Sequence, residues 1–194
     1  DEYKKKGQLV VKLDFETLYE LLTEKEKSLV KKAMKINPNN YGFKGPYYGI
    51  AAVPKNLIII RNQRYHEKGK IKVLPLQLVS KNVFIAFHKL NQTMKKDISK
   101  KLLIESAYRS QAYQLITFFY YLKFNKWDLS KAVKRVALPG YSEHGYPQRQ
   151  ALDFITIDGI PSDEKPFEFA KTKEYKWLLE NGALANEMVI LQRY

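Results

Sequence analysis

Leu102-Leu103-Ile104-Glu105-Ser106-Ala107-Tyr108-Arg109-Ser110 is an apolar run that breaks into a polar turn. Three apolar residues bounded by polar ones predict a short strand, Leu102 to Ile104. Residues 111–125 follow with no Gly or Pro and predict a helix rich in aromatics: Tyr113, Phe118, Phe119, Tyr120 and Tyr121. Core packing is the expected role of those rings, in preference to a base-stacking platform.

Upstream, Ser80 can cap a helix whose inward face is Val83, Phe87, Leu90 and Met94. Leu57 to Ile60 predicts a strand, and residues 61–75 a basic loop. Residues 41–56 hold three Gly, two Pro and three Tyr, so irregular chain is expected there. This stretch is the expected boundary between an N-terminal helical extension, residues 1–45, and the main domain, residues 46–194. Within the extension, residues 8–13 alternate apolar and polar and predict a strand. Asp14 caps a helix carrying Phe15, Leu18, Leu21 and Leu22 on one face. Thr23 with Glu26 forms a capping-box pattern for a second helix, ending near Ile36 before the Asn37-Pro38 stop.

Downstream, a short helix is expected from Asp128 to about Val136, a turn at Pro139-Gly140, and a strand from Ala151 to Ile157. A helix from Glu168 to Asn181 should bury Tyr175, Leu178 and Leu179. A last strand is expected over Met188 to Leu191. Helices and strands mix without a βαβ repeat, so the class is α+β.

The chain has 194 residues, which suits one domain with an extension, and 45% of them are hydrophobic, enough for a core. No run is long enough to span a membrane. No signal segment is visible, and a chain opening on Asp1 suggests processing upstream. Cysteine is absent, which excludes disulfides, thiolate metal sites and cysteine nucleophiles. Lys and Arg total 34 against 20 Asp and Glu, a net charge of +14. That field favours polyanions, of which acidic wall polymers and anionic lipid heads are candidates. A solvated lysine-rich surface explains the charge equally well. No nucleic-acid motif accompanies the lysines, so nucleic acid is not the expected partner.

There are three histidines. His88 sits in the helix of Phe84 and Phe87 and is read as structural. His66 lies in the basic stretch with no ligand-type neighbour in a metal spacing. His144 differs. It lies between the turns Pro139-Gly140 and Gly145-Tyr146-Pro147, and nine residues later Asp153 stands inside the apolar run Ala151-Leu152-Asp153-Phe154-Ile155. A carboxylate in a buried strand is costly unless it is paired or bound to a metal. A loop imidazole and a strand carboxylate are good zinc ligands. The competing account is an ion pair of Asp153 with Arg149 or Arg109.

Two motifs carry a resemblance. Ser106-Ala107-Tyr108-Arg109-Ser110 with Gln114 resembles the S-x-Y-R-S-x-x-x-Q motif of the D-alanyl-D-alanine carboxypeptidase family of zinc peptidases, which includes vancomycin-resistance enzymes. Pro139-Gly140-Tyr141-Ser142-Glu143-His144 with Ala151-Leu152-Asp153 resembles that family's P-G-x-S-x-H followed by A-x-D. The His-to-Asp interval is two residues longer here, with Arg149 at the place of a Gly. The resemblance covers roughly residues 46–194.

It implies a small mixed or antiparallel sheet flanked by helices, and a zinc-dependent peptidase acting on peptidoglycan stem peptides outside the cytoplasm. His144 and Asp153 would be two of three zinc ligands. Arg109 would stabilise charge developing on the scissile carbonyl oxygen. Gln114 and Ser142 would help hold the terminal D-alanine or its carboxylate, and Tyr108 would be structural. In the family a late E-x-x-H segment supplies the third ligand and the catalytic base. The sequence ends at Tyr194 with no His after His144, and Glu187 is a poor substitute. The expectation is therefore weak zinc binding by this stretch alone. The alternative is a wall-peptide-binding protein with a decayed site.

Overall fold

In the computed structural model, which describes residues 9–181 and 189–190, Thr23 and Glu26 close the capping box their spacing predicts. The Thr23 N–H donates to Glu26 Oε2 at 2.8 Å, and the Glu26 N–H donates to Thr23 Oγ1 at 3.3 Å. Such reciprocal capping satisfies amides that have no partner in the first helical turn. Asp14 caps the preceding helix through the Thr17 N–H at 2.7 Å. These two helices, α1 (Phe15–Leu21) and α2 (Glu24–Ala33), belong to the first of two compact units.

Unit 1 combines the chain up to Val53 with Arg109–Tyr146. It also holds α4 (Gln111–Phe124) and α5 (Leu129–Val133). Leu13, Leu18, Val30 and Ala33 pack with Ala112 and Leu115 of α4. Further along α4, Phe118 and Leu122 pack with Ala132, Val133, Val136 and Leu138. Unit 1 is thus built by the apolar face of α4, covered at one end by the N-terminal helices and at the other by α5. Residues 10–12 form a 3-10 turn, not the expected strand. The Val11 carbonyl accepts from the Ser110 N–H at 2.8 Å, and the turn seats Leu13 in the core at 2% exposure.

Unit 2 combines Pro54–Tyr108 with the chain from Pro147 onward. Its strands are β1 (Ile58–Ile60), β2 (Arg64–Glu67), β3 (Lys70–Val73), β4 (Gln77–Val79), β5 (Leu102–Ser106), β6 (Ala151–Thr156) and β7 (Val189–Ile190). Its helices are α3 (Lys81–Ile98), α6 (Pro166–Phe169) and α7 (Lys173–Glu180). β1 pairs with β4 and β2 with β3, both antiparallel. The third sheet runs β5-β6-β7, antiparallel then parallel. The class is α+β, with small, largely antiparallel sheets. Val83, Phe87, Leu90 and Met94 of α3 are buried as the helical spacing predicts, against Ile104, Leu152 and Phe154.

β5 is an edge strand, and edges leave backbone groups open. Three side-chain amides close it. Asn91 exchanges two hydrogen bonds with Leu102, at 2.8 and 3.0 Å. Gln63 does the same with Ile104, at 2.8 and 2.9 Å, and Gln77 Nε2 donates to the Glu105 carbonyl at 2.7 Å.

Two further segments depart from expectation. Residues 61–75 contain the β2–β3 hairpin, joined by Lys68 and Gly69 at φ +50° and +75°. Two consecutive positive φ angles are the two-residue turn that suits a hairpin's twist. The expected helix Glu168–Asn181 is two helices. Thr172 interrupts it by capping α7, its Oγ1 accepting from the Tyr175 N–H at 3.1 Å. That start turns Trp177 and Leu178 inward and leaves Leu179 57% exposed. Of the expected last strand, Met188 and Leu191 lie outside the described residues, as do residues 1–8 and Glu187.

Candidate active site

In unit 1, α4 starts from Ser110, whose Oγ accepts from the Tyr113 N–H at 3.1 Å. The first turn of α4 then holds the loop that carries His144. Gln111 is buried at 3% exposure and uses both ends of its amide. Its Oε1 accepts from the Gly140 N–H at 2.7 Å, and its Nε2 donates to the Gly145 carbonyl at 3.3 Å. One turn along, Gln114 Nε2 donates to the Ala137 carbonyl at 2.5 Å. The Arg109 N–H donates to the His144 carbonyl at 3.3 Å. Two glutamines three residues apart lie on one helical face, so they hold one loop at three points along its length.

His144 is 1% exposed and Ser142 6%; Arg109 is half-buried. Glu143 turns to Tyr48, whose hydroxyl donates to Oε1 at 2.7 Å. The Tyr48 ring stacks on Tyr146 at 5.4 Å, and its N–H donates to the Gly140 carbonyl at 2.7 Å. The segment around Tyr48, read from sequence only as irregular, therefore buttresses the His144 loop.

Asp153 is in unit 2, at 5% exposure on a strand whose six residues are all buried. β5 and β6 change register beside it. Ile104 faces Phe154 but Ser106 faces Asp153, so Glu105 is the extra residue of a bulge. Burial pushes the Glu105 carboxyl up to about 7, helped by the charges of Glu164, Asp153 and Asp163. Its Oε2 is buried and has no hydrogen-bond partner among the described residues. Glu105 bounds the apolar run Leu102–Ile104 where Asp153 interrupts one, so its burial carried little signal in the sequence. Tyr108 is 2% exposed, and burial raises its hydroxyl to about 12, consistent with a structural role.

The structure brings Arg109, Gln114, Ser142 and His144 together within unit 1 and places Asp153 in unit 2. Gln114 has its nitrogen committed to Ala137, and its Oε1 is buried with no hydrogen-bond partner among the described residues. His66 and His88, both exposed, lie in unit 2. His88 rests on Phe84, ring centroids 4.4 Å apart. Among the described residues no three His, Asp or Glu side chains are gathered to hold a metal.

The family model for D-alanyl-D-alanine carboxypeptidase (VanY) matches residues 76–187, a span that contains both motifs. The chain belongs to this family of carboxypeptidases. Two solved structures are similar. The LdcB LD-carboxypeptidase, whose structure is described as revealing the basis of peptidoglycan recognition, is 24% identical. It aligns over 70% of this chain and 57% of its own, with a TM-score of 0.49. The vancomycin resistance D,D-pentapeptidase VanY, as a variant in complex with Zn(II), is 20% identical. It aligns over 69% of this chain and 63% of its own, with a TM-score of 0.41. The chain thus spans less than two thirds of either protein. No curated protein matches it.

Proposed function

We propose that this chain belongs to a zinc-dependent peptidoglycan peptidase that acts outside the cytoplasm on stem peptides ending in D-alanine. The supporting observation is the backbone hydrogen bond from Arg109 to His144, inside the family-matched span. It fixes the proposed oxyanion-stabilising residue to the proposed metal ligand.

Imidazole and carboxylate are good zinc donors, and His144 and Asp153 are both withdrawn from solvent. The donor chemistry fits, and among the described residues no three such side chains are gathered. His144 and Asp153 would be two of three ligands, with the third coming from outside the described residues. When bound, zinc polarises the scissile carbonyl and lowers the pKa of a bound water.

The chain's own residues would do the rest. Arg109 would meet the oxyanion with a fixed cation, a preorganised term worth several orders of magnitude in rate. Ser142 would hold the terminal D-alanine. Gln114, with its nitrogen committed to Ala137, would act by holding the loop. The net charge of +14 would keep the protein on an anionic wall.

A second reading, a protein that binds stem peptides without cutting them, draws support from the lack of a gathered ligand set among the described residues. Peptides ending in D-Ala-D-Ala and in a single D-Ala, incubated with the complete protein and zinc, separate the two. Loss of one alanine by mass supports the peptidase. Intact peptides that bind measurably support the second reading.

A further inference from the structure

Two of the six aromatics of α4, Tyr120 and Phe124, stay largely in water. Phe118 and Leu122 are buried, but Ile116, Tyr120 and Phe124 are 39%, 64% and 63% exposed. They are spaced by four, so they form one stripe on the helix surface. Trp127, just past the helix end, is 61% exposed as well. Monomeric proteins rarely leave a contiguous row of large apolar side chains in water.

The turn that presents Trp127 is unusual. Lys126 and Trp127 are both left-handed, at φ +54° and +67°. A bulky residue there is strained and persists only where its surroundings enforce it. The Trp127 N–H donates to the Leu122 carbonyl at 2.8 Å, and Asn125 Nδ2 donates to the Tyr121 carbonyl at 2.7 Å, closing the helix end.

Cations flank the C-terminal end of the stripe. Lys123 and Lys126, next to Phe124 and Trp127 in the chain, are exposed, and Arg135 lies 5.8 Å from the Phe124 ring centroid. From 106 to 142 the sequence has one acid, Asp128. Its carboxylate is already engaged by the Lys131 N–H and ammonium group. Exposed Trp, Tyr and Phe among lysines is the composition of a surface that sits in a headgroup layer, rings at the acyl boundary and ammonium groups on phosphates.

We propose that the Ile116–Phe124 stripe of unit 1, with Trp127, is a peripheral docking surface for an anionic phospholipid bilayer. The charge selects the occupant: the flank is positive, as is the chain, which disfavours a second copy and matches phosphate headgroups. Each cation near an anionic surface raises binding about fivefold. No described helix is long and apolar enough to cross a membrane, so this would be adsorption. The proposal does not rest on the peptidase reading, and its test uses neither zinc nor a peptide.

The chain carries two tryptophans, and Trp177 is buried at 4% exposure, so Trp127 reports on the surface. With vesicles of phosphatidylglycerol and phosphatidylcholine, the protein should co-sediment, release at high salt, and show a blue shift in emission. Trp127→Phe should abolish the shift while binding persists. Phe124→Ala and the pair Lys123→Glu/Lys126→Glu should each weaken binding about tenfold or more. Absence from the vesicle pellet, or binding unchanged by both variants, would overturn the proposal. So would a blue shift that follows protein concentration without lipid, which would assign the surface to self-association.

Discussion

Gln111 and Gly145 meet so closely that a β-carbon on residue 145 would lie 2.5 Å from Gln111 Nε2 and 2.7 Å from the Arg109 carbonyl. The loop carrying His144 can therefore seat on the start of α4 only with glycine at that position. This links the two sequence motifs within unit 1: Arg109 is in the first and Gln111 within its span, while His144 is in the second and Gly145 follows it directly.

Gly145→Ala should lift the loop off α4. Overpacking at such a contact costs about 1–3 kcal/mol. A lowered denaturation midpoint together with reduced peptide turnover is expected. Unchanged stability would mean that the loop has slack the contacts do not indicate.

Arg109→Ala should lower kcat and kcat/KM together by two orders of magnitude or more, as expected for a cation that acts on the transition state. Its backbone N–H remains, so the bond to His144 and the fold should persist. A loss confined to thermal stability would make the guanidinium a structural partner only.

Glu105 gives the metal-free protein a pH dependence. Its folded pKa is about 7 against an ordinary 4.5, so the folded state holds the proton more tightly. The associated stability is fully present below about pH 4.5 and is lost as pH rises through about 7. Urea midpoints should fall across that window, and Glu105→Gln should flatten the fall. An equal slope in both proteins would place the effect elsewhere.

Lys126 sits at φ +54° just past the end of α4, a position that glycine occupies without strain. Relief of a left-handed cost of about 1–2 kcal/mol, less about 0.5–1 kcal/mol for glycine's greater entropy loss, should leave Lys126→Gly more stable, seen as a higher midpoint in thermal or urea unfolding. Destabilisation would show that the lysine side chain contributes more than its backbone costs.

Much of this was legible in the sequence, and the misses have physical causes. The capping box at Thr23 and Glu26, the inward face of α3 and the strand-to-helix passage through Arg109 are local patterns, and local patterns survive folding. The β2–β3 hairpin escaped although Lys70-Ile71-Lys72-Val73 alternates polar and apolar residues, because four residues among so many cations read as basic loop and β3 is exposed along its whole length; its Lys68-Gly69 turn was the second available clue. Gln63, Gln77 and Asn91 could not be read as the edge partners of β5, since an amide's partner is fixed by distant chain. Of the site, Arg109 and His144 were legible as motif positions. The roles of Gln111 and Tyr48 in holding the loop depend on contacts 29 and 95 residues apart in sequence.

The central claim is a metal-dependent cut at D-alanine that needs the imidazole of residue 144. The most direct measurement is D-alanine release from a stem pentapeptide by the complete protein, with zinc, with a chelator, and in His144→Ala. Release that requires zinc and disappears in the variant is the predicted result. Release that continues in chelator and in His144→Ala would contradict the account.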